Sequence, residues 1–134
     1  MEPVKQLLNF FRPKKKHKKN ILLVDDNKIC LKANSSVIQS YSSDLNIVTA
    51  DTGKKAVNII KSQEFEFIIL DLGMSDINGI EILKMMNLKK YDIKKVIVLT
   101  AYDSDYFKIA CKHLNAHSFI EKPLNLEKLL SVFS

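Results

Sequence analysis

The sequence contains little of what stabilises small disulfide-rich or zinc-dependent folds. Its 134 residues include only two cysteines, three glycines, three prolines and no tryptophan. Cys30 and Cys111 are too few for a disulfide framework, and no CxxC pair or Cys/His cluster suggests a zinc site. No apolar run reaches the roughly 18 residues that a membrane span needs. We therefore expect a globular, cytoplasmic protein that folds around a hydrophobic core.

The length and composition are those of one ordinary domain. The chain is 46% hydrophobic and 27% charged, which excludes collagen-like and disordered classes. A domain of this size buries roughly 65 to 70% of its unfolded surface, so it needs no metal in order to fold. A metal bound by this chain would therefore serve its chemistry.

The net charge of +6 comes from one end of the chain. Residues 1–20 contain seven of the 21 basic residues and one of the 15 acidic ones, which leaves 14 of each in residues 21–134. The high pI therefore does not describe the surface of the folded domain. We divide the chain into an N-terminal arm, residues 1–19, and a domain, residues 20–134.

The arm combines an apolar stripe with a basic run. Val4, Leu7, Leu8 and Phe11 have helical spacing, and a basic segment follows at residues 12–19. Four interpretations stay open: a solvated arm, an interfacial helix on an anionic membrane, a nucleic-acid contact, or a helix that docks on this domain or on a second copy. We favour docking, because the arm would otherwise expose a bare aromatic patch.

Apolar runs alternate with helical patterns along the domain. Five runs are typical of buried parallel strands: Ile21–Val24, Ile47–Ala50, Phe67–Leu70, Val96–Leu99 and Ser118–Ile120. Amphipathic helical sets lie between or after them, namely Cys30/Ala33/Val37, Phe107/Ala110/Cys111/Leu114 and Leu126/Leu129/Leu130/Phe133. Asn78, Ser104 and Asn125 can cap helices, and Asn115 suits a left-handed helix end. The pattern predicts an α/β fold with five βα units and helices on both faces of a parallel sheet.

Chemically active side chains follow four of the five predicted strands. Asp25 and Asp26 follow the first strand, Asp71 the third, Thr100 the fourth, and Lys122 comes shortly after the fifth. Ligands of such sheets bind at the carboxyl ends of the strands. A single aspartate there is usually a turn or capping residue. Three carboxylates in one crevice would repel one another unless a cation neutralises them, and Mg²⁺ is the cation expected for such oxygen ligands. The set predicts an aspartyl-phosphate site in which Lys122 holds the added phosphoryl group.

With these residues placed, the sequence resembles the response-regulator receiver domain, the CheY-like superfamily of two-component signalling. The resemblance covers about residues 20 to 133. It depends on five motifs in order: ILLVDDN (21–27), ADTGKKAVNII (50–60), FIILDLGMSDINGIEIL (67–83), VIVLTAY (96–102) and NAHSFIEKPL (115–124). It implies a flavodoxin-like, doubly wound sheet of five parallel strands in the order 2-1-3-4-5.

The resemblance also implies a role for each site residue. Asp71 would be the phosphoacceptor, and Mg²⁺ would be held by Asp25, Asp26, Asp71 and the backbone carbonyl of Gly73. Asp26 would bind the ion directly and Asp25 through water. Thr100 would move toward the phosphoryl group while Phe119 swings inward, and Lys122 would contact the phosphoryl oxygens. A cis peptide is expected before Pro123.

The function implied is that of a single-domain response regulator in a two-component system or phosphorelay. It would take its phosphoryl group from a sensor histidine kinase or a histidine phosphotransfer protein and then bind a downstream protein. A homodimer of the chain is a further expected partner state. No sequence remains for a DNA-binding output domain, and no enzymatic activity is expected beyond self-phosphorylation and self-dephosphorylation. One rival is a Mg²⁺-dependent phosphohydrolase. It would need a second acid two residues after its aspartate nucleophile, whereas Asp25 and Asp26 are adjacent. The sequence also contains no P-loop motif. The other rival is a passive receiver scaffold that acts as a membrane or nucleic-acid adaptor through its basic arm.

Overall fold

The computed structural model describes residues 18–74, 76–89, 95–101 and 105–133. Residues 1–17 of the arm, the predicted helix cap Ser104 and the side chain of Phe107 lie outside the described residues. In the part that is described, five strands alternate with five helices. The strands are β1 (Lys19–Val24), β2 (Leu45–Ala50), β3 (Phe67–Asp71), β4 (Val96–Thr100) and β5 (Ser118–Glu121). The helices are α1 (Lys28–Tyr41), α2 (Gly53–Ser62), α3 (Gly79–Leu88), α4 (Asp105–His113) and α5 (Leu126–Phe133).

The sheet has the topology that the sequence predicts. All pairs are parallel and the strand order is β2-β1-β3-β4-β5. Each predicted apolar run lies inside one strand. β2 lies on one side of β1 and β3 on the other, so the direction in which successive strands are placed in the sheet changes between β1 and β3. A crevice opens at such a reversal, at the carboxyl ends of the two strands.

Alternate residues of the central strands pack against helices on opposite faces of the sheet. On β4, Val96 and Val98 belong to the core beneath α2, α3 and α4, while Ile97 and Leu99 belong to the core beneath α1 and α5. All five residues of β4 are buried. This two-sided burial explains why the strands read as continuous apolar runs rather than as alternating ones.

The predicted helix caps form as expected where they are described. The side chain of Asn78 accepts the backbone N–H of Glu81, and that of Asn125 accepts the backbone N–H of Lys128 at 2.9 Å. Asn115 has a positive φ of 61° after α4, as predicted for a left-handed helix end.

The buried face of α1 differs from the prediction. Leu31 and Ile38 are buried, whereas Cys30 of the predicted set is half-buried and Ala33 is exposed. Leu31 and Ile38 are the bulkier side chains, so burying their face removes more apolar area from water than burying the predicted one. On α5, Leu129 is fully buried but Leu126 and Leu130 are 41% and 48% exposed. No helix among the described residues is long and apolar enough to cross a membrane.

Candidate functional site

The three predicted aspartates come together at the carboxyl edge of the sheet. Asp25 and Asp26 follow the last residue of β1, and Asp71 is the last residue of β3. Because these strands are neighbours in register, their ends lie side by side. One carboxylate oxygen from each of the three lies within 4.8 Å of the others. Asp25 and Asp71 are buried, whereas Asp26 is exposed and faces the solvent side of the group.

Asp25 is the most enclosed of the three acids. Only 1% of its surface is exposed. Its Oδ1 accepts the backbone N–H of Asn27 at 2.9 Å, while its Oδ2 is buried and accepts no hydrogen bond from the described residues. Burial raises the pKa of Asp25 above its ordinary value of 3.8; the Asn27 N–H opposes this shift, and the nearby Asp71 carboxylate adds to it. One oxygen of this buried carboxylate therefore has no hydrogen-bond donor among the described residues.

Lys122 supplies the positive charge on the other side of the crevice. It follows β5, and its Nζ donates to Oδ2 of Asp71 at 3.1 Å and lies 3.7 Å from Oδ2 of Asp25. Burial alone would lower the pKa of Lys122, but the hydrogen bond to Asp71 and the charges of both aspartates outweigh burial and raise it. The ammonium is therefore a fixed counter-charge for the two buried acids.

Backbone contacts fix the segment that presents Lys122. The Lys122–Pro123 peptide is cis, as expected. The backbone N–H of Lys122 donates to the carbonyl of Thr100 at 2.7 Å, which joins the end of β5 to the end of β4. The side chain therefore extends into the crevice from a well-supported main chain.

Gly73 lies close to Asp71 on the loop after β3. Its backbone N–H donates to Oδ1 of Asp71 at 3.0 Å, so both oxygens of that carboxylate have a donor. Among the described residues, a side-chain carbon on Gly73 would meet only Asp71 Oδ1, at 3.7 Å. The neighbourhood of Asp71 on this side is therefore open to a ligand.

Thr100 and Phe119 lie on the same side of the sheet. Thr100 is buried at the end of β4 and, by alternation, shares the face of Val96 and Val98. Phe119 pairs with Val98 in register, is half-buried and packs against that same core, with Nζ of Lys108 5.8 Å from its ring centroid. The two predicted switch residues are thus on adjacent strands with a common packing face.

The acidic group fits a divalent cation. Three carboxylates and one ammonium leave a net charge of −2 in the crevice, and Oδ2 of Asp25 is an unsatisfied buried oxygen. Mg²⁺ prefers oxygen ligands and is usually held by one or two carboxylates with several waters. The donor set and the charge therefore both suit this ion.

The sequence prediction missed two residues that support the site. Asn27 caps α1 by accepting the backbone N–H groups of Ile29 and Cys30, and its own N–H holds Asp25. Its position before a helical pattern was a sufficient signal. Asp76 accepts the backbone N–H of Gly53, 23 residues away. Nothing in the local sequence indicates that contact.

Comparison with known proteins identifies the class of domain. The family model of the response regulator receiver domain matches residues 21–134. The transcriptional regulatory protein BasR of Escherichia coli is 31% identical over 109 residues, which cover 81% of this chain and 48% of BasR. A cyclic di-GMP phosphodiesterase of Thermotoga maritima has the same identity over the same length, but only 28% of that protein is covered. The chain thus spans about half the length, or less, of these two relatives.

Two solved structures share the fold over nearly their whole length. Chemotaxis protein CheY4 of Vibrio cholerae is 27% identical with a TM-score of 0.76, and the match covers 86% of this chain and 95% of that one. A two-component response regulator of Legionella pneumophila gives 26% identity and a TM-score of 0.75, with 87% and 95% covered. Receiver domains are signalling phosphoacceptors that generally bind Mg²⁺ in an acidic pocket and take phosphoryl groups from histidine kinases or phosphotransfer proteins.

Proposed function

This chain belongs to the family of response regulator receiver domains, and we propose on that premise that Asp71 is its phosphoacceptor and that phosphorylation switches its binding to a downstream protein. The observation that carries the proposal is the position of Asp71, 3.1 Å from the Lys122 ammonium and within 4.8 Å of both other acids. A structural role alone would not require a buried carboxylate to face two like charges.

The proposed transfer needs a carboxylate nucleophile that stays oriented. One Asp71 oxygen attacks the phosphorus of a phosphohistidine, an O–P bond forms, and the N–P bond to the imidazole breaks. The Gly73 N–H and the Lys122 ammonium hold the carboxylate at 3.0 and 3.1 Å before the transfer. Lys122 then contacts an oxygen of the phosphoryl group, which carries about two negative charges where the carboxylate carried one.

Mg²⁺ is the proposed cofactor of this site. Asp26 and Asp71 would hold it, with the Gly73 carbonyl, and Asp25 would act through a bound water. Bound in this position, Mg²⁺ would shield the negative charge of the arriving phosphoryl group. Asp25, with one oxygen already engaged by Asn27, keeps the other available for that water.

The proposed response runs from Thr100 to Phe119. The Thr100 hydroxyl donates a hydrogen bond to a phosphoryl oxygen, and the side chain shifts toward Asp71. The space that it leaves lies on the face against which Phe119 packs, so the half-buried ring of Phe119 can move inward. The surface beside α4 and β5 then changes, and the downstream partner reads that change.

The proposal includes the cellular setting. The phosphodonor is a sensor histidine kinase or a histidine phosphotransfer protein. A single-domain arrangement is supported by the match to CheY4, which is covered over 95% of its length. A cytoplasmic location is supported by two unpaired cysteines, which are typical of a reducing compartment.

The experiment is intact-mass measurement after incubation with acetyl phosphate and Mg²⁺. The wild-type chain should gain one phosphoryl group, and Asp71→Asn should gain none. Asp51→Asn is the matched control, because Asp51 also follows a strand at this edge of the sheet, and it should be modified like the wild type. A phosphoryl group on Asp71→Asn at the wild-type rate would show that the acceptor has been assigned wrongly. An unmodified wild-type chain would favour the passive-scaffold interpretation.

A further inference from the structure

A second cavity lies away from the acidic site, beside the edge strand β2. It is an open cavity of about 470 Å³ lined by α1, the end of β2 with the residue after it, and the first turn of α2. Its apolar wall is Leu31, which is buried, and Thr49 contributes a hydroxyl from β2. Cavities of 300 to 1,000 Å³ are the usual size of small-molecule sites. The volume therefore exceeds what a single inorganic anion needs.

The charges around this cavity are mostly positive. Lys28 and Lys32 of α1 and Lys55 of α2 line it, with Asp51 as the one acid among its lining residues. Asp51 is 2.7 Å from Nζ of Lys55 and 3.9 Å from Nζ of Lys28. The ammonium of Lys32 forms no ion pair with the part of the chain that is described. Three ammonium groups and one carboxylate leave a charge of +2, which a dianion would neutralise.

A buried hydroxyl gives the cavity a second polar feature. Oγ of Ser35 is buried and has no hydrogen-bond partner among the described residues, and Ser35 lines the cavity beside Lys32. A serine in a helix usually bonds its hydroxyl to a carbonyl in the preceding turn, as Ser36 does here with Lys32. A buried polar group without a partner is costly. Rotation of the Ser35 side chain toward the cavity would bring this hydroxyl within reach of a ligand oxygen.

We propose that this cavity binds a small phosphate monoester, with its dianionic group among Lys28, Lys32 and Lys55 and its organic part against Leu31. The Ser35 hydroxyl donates to a ligand oxygen. The site is separate from the phosphoacceptor: it needs neither Mg²⁺ nor Asp71. In the absence of metal, the acidic crevice carries a net charge of −2 and repels the same ligand, so the two sites can be distinguished.

The test is an NMR titration of the full chain with phenyl phosphate and, separately, with inorganic phosphate, in EDTA. The pH is set about two units above the second pKa of a phosphate monoester, which is about 6, so that phenyl phosphate is a dianion and inorganic phosphate is mostly one. The backbone amides of Ser35 and Thr49 should shift in a saturable way. Phenyl phosphate should bind more tightly than inorganic phosphate, because its ring can pack against Leu31 and the methylene stems of Lys28 and Lys32.

Variants distinguish specific binding in the cavity from diffuse electrostatic attraction of the anion to surface lysines. The double variant Lys28→Gln, Lys32→Gln should bind phenyl phosphate with about tenfold lower affinity, as expected for the loss of two exposed charge contacts. Ser35→Ala should weaken it as well without changing any charge. Lys61→Gln is the matched control, since Lys61 lies on α2 but does not line the cavity, and it should bind like the wild type. Lys28, Lys32 and Lys61 are exposed, so the lysine variants should keep the wild-type melting temperature.

Three results would overturn the proposal. The first is a shift that grows linearly without saturation. The second is equal weakening by Lys61→Gln and by the double variant, which would mean diffuse attraction to the surface. The third is a set of shifts centred on Lys122 rather than on Ser35.

Discussion

The carboxylate of Asp76 holds the first turn of α2, where Oδ1 accepts the backbone N–H of Gly53 at 2.9 Å. Oδ2 accepts the next N–H, that of Lys54, at 3.1 Å. A carboxylate at a helix N-terminus also interacts favourably with the helix dipole. Asp76 lies on the loop that begins after Asp71 and carries Gly73. The loop next to the phosphoacceptor is therefore tied to a helix on the neighbouring part of the sheet.

Asp76→Ala should lower the melting temperature and weaken Mg²⁺ binding, because both N–H groups lose their acceptor and the Gly73 loop loses its anchor. The N–H groups of Gly53, Ile77 and Lys54 hold the pKa of Asp76 below its ordinary value of 3.8. A lowered pKa means that this carboxylate stabilises the fold above about pH 4 and ceases to do so as the pH falls further through the lowered pKa. The difference in unfolding free energy between the variant and the wild type should therefore shrink in strong acid.

The control for this prediction is Glu64→Ala. Glu64 is exposed and makes no contact of this kind within the described residues. Its replacement should leave both the melting temperature and the Mg²⁺ affinity unchanged. An Asp76→Ala protein with wild-type Mg²⁺ affinity would mean that the contact stabilises α2 without positioning the site.

Gly53→Ala should destabilise the fold by about 1 to 3 kcal/mol, the usual cost of forcing extra volume into a packed contact. A Cβ at this position would lie 2.6 Å from both Cβ and the carbonyl oxygen of Ile77. The loop after β3 would have to move away from α2. Gly73→Ala is the comparison for stability, since its added carbon meets no described atom closer than 3.7 Å. Equal unfolding free energies for the two variants in urea would contradict this account.

The sequence predicts the strands because the central ones, β1, β3 and β4, are largely buried on both faces and are therefore short continuous apolar runs. The strand order came from the resemblance to receiver domains, because apolar runs alone do not give it. It predicts the buried face of α1 poorly, since that helix mixes small apolar and polar residues and the packing partner decides which side is covered. The acidic group was predictable because Asp25 and Asp71 sit at strand ends. The tie from Asp76 to Gly53 was not, because it joins residues far apart in sequence whose approach is set by the assembled fold.

Asp26→Ala should weaken Mg²⁺ binding more than Asp25→Ala. Asp26 is exposed at the edge of the acidic group, whereas Asp25 is buried and already accepts the Asn27 N–H. Loss of a residue that acts through another group typically costs 10 to 100-fold in affinity, so Asp25→Ala should fall in about that range and Asp26→Ala beyond it. A Mg²⁺ titration followed by NMR measures both. Equal losses would count against the division into direct and water-mediated roles.

Lys122→Ala should separate metal binding from signalling. The Lys122 ammonium lies 3.1 Å from Asp71 and 3.7 Å from Asp25. Its removal leaves these carboxylates without their fixed counter-charge. Mg²⁺ should then bind as well as before or more tightly. The shift of Phe119 that follows phosphorylation should be lost, because the phosphoryl group has no ammonium to hold it. Lys61→Ala should behave like the wild type in both measurements, and a full Phe119 response in Lys122→Ala would rule out the proposed role of the ammonium.

The C-terminal end of α5 lies near the start of β1. Phe133, at the end of α5, stacks on Phe67 with ring centroids 4.7 Å apart, and Phe67 pairs with Ile21 of β1. The end of α5 is therefore close to the first residues of β1, where the described chain begins. Leu126 and Leu130 on the same helix are 41% and 48% exposed. An apolar helix that extends from β1 could reach them.

Deleting residues 1–17 should lower the melting temperature or change the oligomeric state, if the predicted arm docks on α5 or on a second copy. The truncation leaves Lys19 in place, because its N–H bonds to the carbonyl of Asp44 within the sheet. Leu7→Ser with Leu8→Ser should reproduce the effect, since burying each leucine contributes about 1.5 to 3 kcal/mol before ordering costs. Lys14→Gln with Lys16→Gln should not, because an apolar contact depends little on salt or charge. Unchanged melting and mass in the truncated chain, together with lipid or nucleic-acid binding by the full chain that falls steeply with salt, would assign the arm to an anionic surface instead.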